Sequence, residues 1–260
     1  MLTNARENAG RAGRCAILAM LAIAAGCRST AAPPTAANAS QSQSQSQSQS
    51  AGPAGAAATR AGARTLQVDP ERTVVTVIVR RAGPLARLGH DHVIISADEA
   101  GSVWLGSTPA DSSFELSVPV ERFDVDSPAA RAAAGPEFAA PVPDDARAGT
   151  RRNMLRAEVL DGAHFPAITL RSAAASGAWP QPIVRVAVTL KGVEREQEIP
   201  VVVERDANGL VARGELRLNQ TDFGITPFSV AGGAIQVADT LEIRFEIAAA
   251  SPGPISPPVP

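Results

Sequence analysis

Leu241-Glu242-Ile243-Arg244-Phe245-Glu246-Ile247 changes character at every residue, apolar then charged. Successive side chains of an extended strand point to opposite faces, so this stretch buries Leu241, Ile243, Phe245 and Ile247 and leaves Glu242, Arg244 and Glu246 in water. The same period recurs upstream. Val75, Val77 and Val79 share a face, as do Phe114, Leu116, Val118 and Val120, and Ile168 and Leu170. Val184, Val186, Val188 and Leu190 alternate with Arg185, Ala187 and Thr189, and Leu210, Ala212, Gly214, Leu216 and Leu218 oppose Val211, Arg213, Glu215 and Arg217. One dry face and one wet face indicate an antiparallel sheet, because parallel strands covered on both sides lose the alternation.

Close turn signals join these runs. Lys191-Gly192 separates two of them, and Asn208-Gly209 is a hairpin signal, both residues tolerating positive φ. Counting the bent stretch from His92 to Gly106 as one strand gives about eight. Eight half-wet strands close most economically as an all-β antiparallel barrel, which also removes exposed edges; a two-sheet sandwich is the other arrangement of the same pattern. Thr150 is placed to cap a helical segment running to Leu160, with Leu155 and Val159 on one face. Before it, the Ala/Pro-rich stretch from Pro128 to Ala148 reads as a loop near one end of the barrel.

The 260 residues divide unevenly around this domain. Arg6, Arg11 and Arg14 precede a short apolar run, Cys15 to Gly26, too short for a membrane span and suited to a secretory signal over residues 1–26. The run ends Ala24-Ala25-Gly26-Cys27, similar to a bacterial lipobox, which makes Cys27 the expected lipidation site and membrane anchor. Residues 27–64, with the Ser-Gln tract Ser40 to Ser50, have too little apolar surface to order and read as a flexible tether. The barrel domain spans residues 65–250, and residues 251–260 form a Pro-rich tail. Both cysteines lie ahead of the domain, which therefore folds without disulfides. Arg28 after Cys27 carries no inner-membrane retention signal, so the expected location is the periplasm, anchored in the outer membrane.

Charge narrows the function. Six of the 24 basic residues and one of the 26 acidic residues precede the domain, leaving 18 basic against 25 acidic, a net of −7. No basic cluster interleaves with aromatics, so nucleic acid is not an expected partner. There is no glycine-rich phosphate loop, nucleophile elbow or cysteine-based metal spacing, hence no expected cofactor, metal or enzymatic activity. His90 and His92 in Gly89-His90-Asp91-His92 would share a side of a strand, and His164 is the third histidine. They read as structural or hydrogen-bonding groups near a turn, as a polar contact at a pocket mouth, or as metal ligands. Asp222 and Asp239 read as turn residues whose side chains satisfy backbone N–H groups.

Taken in order, Val188-Thr189-Leu190-Lys191-Gly192-Val193-Glu194-Arg195, Leu218-Asn219-Gln220-Thr221-Asp222-Phe223-Gly224-Ile225, Val237-Ala238-Asp239 and the upstream Phe165-Pro166-Ala167-Ile168-Thr169-Leu170 resemble the YceI-like family. The similarity runs from about Leu66 to Ala249, and the histidine stretch sits where many relatives carry a histidine. The chain departs from those relatives at Lys191, often His, and at Gln220, often Arg. The resemblance implies a lipocalin-like barrel holding a long amphiphilic lipid, such as a polyisoprenoid, an isoprenoid quinone or a fatty acyl chain. The residues that would line it are Val77, His92, Phe114, Leu116, Val186, Val188, Leu216 and Phe245. Ala212 and Gly214, projecting little volume inward, favour open space there. The same inward face could instead close into a filled barrel serving as an interaction or stress-response domain without a small ligand. Oligomeric state, a homodimer included, stays open at this level.

Overall fold

The computed structural model describes residues Gly62 to Pro252, so the stretches read as a signal and a tether, Cys27 and most of the Pro-rich end lie outside the described residues. Eight antiparallel strands follow one another around a closed barrel. Three of them bend. β1 comprises Arg64–Val68 and Val74–Ala82, β2 His92–Ile95 and Ala100–Leu105, and β3 Ser113–Pro119 and Asp124–Val125. The remaining strands are β4 (Ala167–Ser176), β5 (Ile183–Leu190), β6 (Val193–Arg205), β7 (Gly209–Asn219) and β8 (Ile235–Ala250). Each pairs with the next. β8 closes the ring on both halves of β1, through Leu241↔Val79 to Glu246↔Val74 and again through Val68↔Ala249. The sandwich alternative is thereby excluded, and the stretch beginning at His92 is one bent strand.

The alternation has the expected sense. Val184, Val186, Val188 and Leu190 of β5 and Leu241, Ile243, Phe245 and Ile247 of β8 all face the interior. Their charged neighbours form cross-strand pairs outside, among them Arg213 with Glu246 at 2.9 Å and with Glu204 at 3.0 Å. Arg171 pairs likewise with Glu194 at 2.8 Å. Exposed pairs of this kind add little stability. The fold rests on its interior.

The turns differ in mechanism. Lys191 (φ +50°) and Gly192 (φ +75°) form the left-handed pair of a tight hairpin. Asn208-Gly209 also joins two strands, but neither residue adopts the left-handed conformation. Asp206 builds that turn instead, its Oδ1 accepting from the N–H groups of Asn208 (2.7 Å) and Gly209 (2.8 Å). Glycine is required at 209 for proximity, because a Cβ there would lie 2.3 Å from the carbonyl oxygen of Ala249.

The connection between β3 and β4 departs from expectation. The stretch read as a loop contains a helix, α1 (Pro128–Ala134), started by Ser127, whose Oγ accepts from the Ala130 N–H at 3.2 Å, with Pro128 in the first turn. Gly135, at φ +135°, ends it. The second helix, α2, spans Asp144–Met154, earlier than the segment expected from Thr150 to Leu160. Pro143 precedes its first turn and Asp144 and Asp145 occupy it, complementing the helix dipole. Thr150 is therefore mid-helix, and Leu155 is the C-terminal cap. Leu155 and Val159 still reach the core, but from the turns that follow. α1 and the turn at Pro136–Phe138 cover the outside of β1 and β2, where Ala130 and Phe138 pack with Ile78 and Val93 in a second, smaller core.

Candidate functional site

The barrel interior holds a cavity of about 390 Å³, within the usual range for small-molecule pockets of roughly 300–1,000 Å³. All eight strands line it, mostly with aliphatic and aromatic side chains, and Thr150, Asn153 and Met154 of α2 also line it. Val77, His92, Phe114, Leu116, Val186, Val188, Leu216 and Phe245 are all on its wall. Ala212 is on the wall too, but Gly214 is not open space: the Phe245 ring lies where its Cβ would be, 2.6 Å away. A cross-strand aromatic has filled the glycine's gap.

Trp179, in the β4–β5 connection, also lines the cavity, and its Nε1–H donates to the Ser107 carbonyl at 3.0 Å, tying that connection to the one between β2 and β3. The Arg205 guanidinium stacks over the indole at 4.7 Å from the ring centre. Gln220 is buried on the wall, its Nε2 donating to the Ala238 carbonyl at 2.8 Å. Beside it, Asp239 accepts from the Thr221 N–H at 2.9 Å, the role expected of it. Asp222 instead accepts from the side-chain amide of Asn219 at 3.3 Å, while the Thr221 N–H goes to Asp239.

His92 is the polar group on the wall with the most elaborate support. Its Nδ1 lies 2.6 Å from Oδ2 of Asp126, a fully buried carboxylate at a left-handed position (φ +53°) between β3 and α1. Oδ1 of Asp126 accepts from the Val93 N–H and from Nη1 of Arg131, both at 2.8 Å. Arg131, nearly buried, also donates to the carbonyls of Asp91 (2.8 Å) and Ala140 (3.1 Å). His90 packs edge-on against His92 with ring centres 4.6 Å apart, and its Nε2 sits 3.7 Å from Asp126, buried without a hydrogen-bond partner. Asp91 faces away, held by the Arg81 N–H (2.9 Å) and Arg80 (3.1 Å).

His90, His92 and Asp126 are close enough to be considered as metal ligands. Two ligands at about 2.0–2.1 Å from a tetrahedral zinc stand about 3.3 Å apart. The 2.6 Å between His92 and Asp126 is hydrogen-bond spacing, and Arg131 already neutralises the carboxylate. The arrangement fits a hydrogen-bonded network better than a metal centre. His164 is elsewhere, exposed and paired with Asp161 at 2.8 Å.

The network has a pH signature. Burial lowers the pKa of His90, and the neighbouring His92 adds to this against the pull of Asp126. Burial pushes Asp126 up, but hydrogen bonds from His92, Val93 and Arg131 outweigh it and hold its pKa low. Asp91 is also low, burial being outweighed by the Arg81 N–H and Arg80. A histidine held below its ordinary 6.5 leaves the unfolded chain binding the extra proton, so stability falls as pH drops through that value. The carboxylates contribute stability above their ordinary 3.8 that is lost on further acidification. Urea midpoints should therefore decline in two steps, one below pH 6.5 and one below about pH 4. His90→Gln should erase the first step, and a flat profile between pH 7.5 and 5 would contradict this account.

Residues 66–249 match the YceI-like domain. The chain belongs to the YceI-like family. Burkholderia cenocepacia BcnA, at 17% identity, superposes with a TM-score of 0.54 over 70% of this chain and 99% of its own. A Saccharophagus degradans domain, described as polyisoprenoid binding and implicated in plant cell wall breakdown, is 11% identical. Its TM-score is 0.50 over 73% of this chain and 99% of its own. At such identities the likeness establishes the shared fold. No curated protein sequence matches this YceI-like chain significantly.

Neither Asp126 nor Arg131 was recognisable from the sequence. Asp126 precedes Ser127-Pro128 and resembles an ordinary helix-entry residue, and Arg131 lies in an alanine run. Trp179 carried a weak signal, as one of only two tryptophans, followed by proline.

Proposed function

We propose that this YceI-like protein is a binding and carrier protein for a long-chain amphiphilic lipid of polyisoprenoid, isoprenoid-quinone or fatty-acyl type. The observation that carries the reading is the predominantly apolar lining of the cavity, built from aliphatic and aromatic side chains of all eight strands. Burying an apolar tail there contributes about 25 cal/mol per Å² before ordering costs. An open interior favours this reading over a filled interaction domain, and the polyisoprenoid-binding description of the Saccharophagus domain agrees with it. The lipobox-like end of the leader supports export and anchoring through Cys27, with the barrel held in the periplasm at the outer membrane. No step of this role requires the protein to transform its ligand.

The test is native mass spectrometry of the Cys27→Ala chain purified from the exporting cell, followed by organic extraction of what it releases. An adduct of lipid mass, extractable and identified as an isoprenoid or acyl chain, is the expected result. The same spectrum counts protomers and so reads homodimerisation. A bare chain that gains no mass on incubation with quinones, polyprenols and fatty acids would overturn the carrier role.

A further inference from the structure

The His92–Asp126 pair does more than make one wall of the cavity polar. In the neutral ring, Nδ1–H donated to Asp126 leaves Nε2 as a hydrogen-bond acceptor. Nε2 has no partner among the described residues, and His92 lines the cavity. Asp126 excludes the opposite tautomer of the His92 ring. Its oxygens are already engaged by Val93 and Arg131 on one side and His92 on the other, and as a carboxylate it only accepts. Gln220 points the same way: its amide nitrogen is engaged with Ala238, and its carbonyl oxygen has no partner among the described residues.

We propose that the cavity selects, among long apolar molecules, those whose polar end carries a hydrogen-bond donor, a hydroxyl above all, received by Nε2 of His92. Polyprenols and quinols belong to this class; ethers, esters and oxidised quinones do not. Asp126 is the positioning residue, because it fixes the ring and its tautomer from outside the cavity. The inference rests on the lipid-carrier reading and names the head group that reading leaves open. An acceptor-only head would set two lone pairs against each other in a dry site, where a polar group left without its partner is strongly disfavoured.

Farnesol and farnesyl methyl ether share a tail and differ in the donor, so they serve as probes. Their affinities are measured by titration calorimetry at pH 8. Delipidated Cys27→Ala chain is compared with the same chain carrying His92→Phe, each checked for folding by circular dichroism. Farnesol should bind the parent about tenfold more tightly than the ether. His92→Phe should reduce that ratio to within about twofold, the extra methyl group being common to both titrations. Equal affinities in the parent would overturn the head-group inference and leave the carrier role standing. A preference that survives His92→Phe would also overturn it, assigning the contact to Gln220, Thr150 or Asn153. Binding of neither probe would also overturn the head-group inference, and the carrier reading then stands or falls separately on the mass-spectrometric test with quinones, polyprenols and fatty acids.

Discussion

Asp126→Ala is expected to destabilise the domain by about 3–5 kcal/mol, the usual penalty for breaking a buried ion pair from one side. Three groups lose their partner at once: the nearly buried guanidinium of Arg131, the N–H of Val93 and Nδ1 of His92. Arg131 keeps two carbonyls and the face of the Phe138 ring, none of which carries a compensating negative charge. Denaturant unfolding measures the loss directly. Adding Arg131→Met should recover much of it, because removing both charges avoids the orphaned one. Independent, additive losses from the two substitutions would show that the pair is not the unit described here.

The second large effect comes from the hollow interior. Ala212→Phe should leave stability within about 1 kcal/mol, since the ring enters open cavity, yet reduce lipid retained through purification by more than tenfold. Gly214→Val, two residues along the same strand, should behave oppositely. Its side chain meets the Phe245 ring, and the overpacking costs about 1–3 kcal/mol. Thermal unfolding of both variants, with lipid quantified in each preparation, separates the cases. If Ala212→Phe destabilised the chain as much as Gly214→Val, the interior would be filled and the carrier role would lose its physical basis.

Period-two alternation places Ala212 and Gly214 on the same inward face, and it does so correctly. Whether the space above a small residue stays empty depends on the partner strand. Register sets Phe245 directly opposite Gly214, and its ring takes that space. The same limit applies to the helices. Leu155 and Val159 reach the core as their spacing suggests, but the helix was decided by Pro143 and two aspartates at its start, so it begins and ends earlier.

Strand periodicity and turn chemistry act between near neighbours, so the antiparallel strands and the inward face of each were legible before folding, and the order of the quoted motifs carried the family. Closure as a barrel rather than a sandwich came from β8 pairing with β1. Tertiary structure alone decided that the barrel is hollow and that His92 has a fixed hydrogen-bonding role. Cavity volume is a property of the closed ring. The support for His92 comes from Asp126 and Arg131, and the chain brings these together by folding the β3–α1 corner against β2. Contacts across such a corner depend on closure of the sheet, and local pattern carries no record of them.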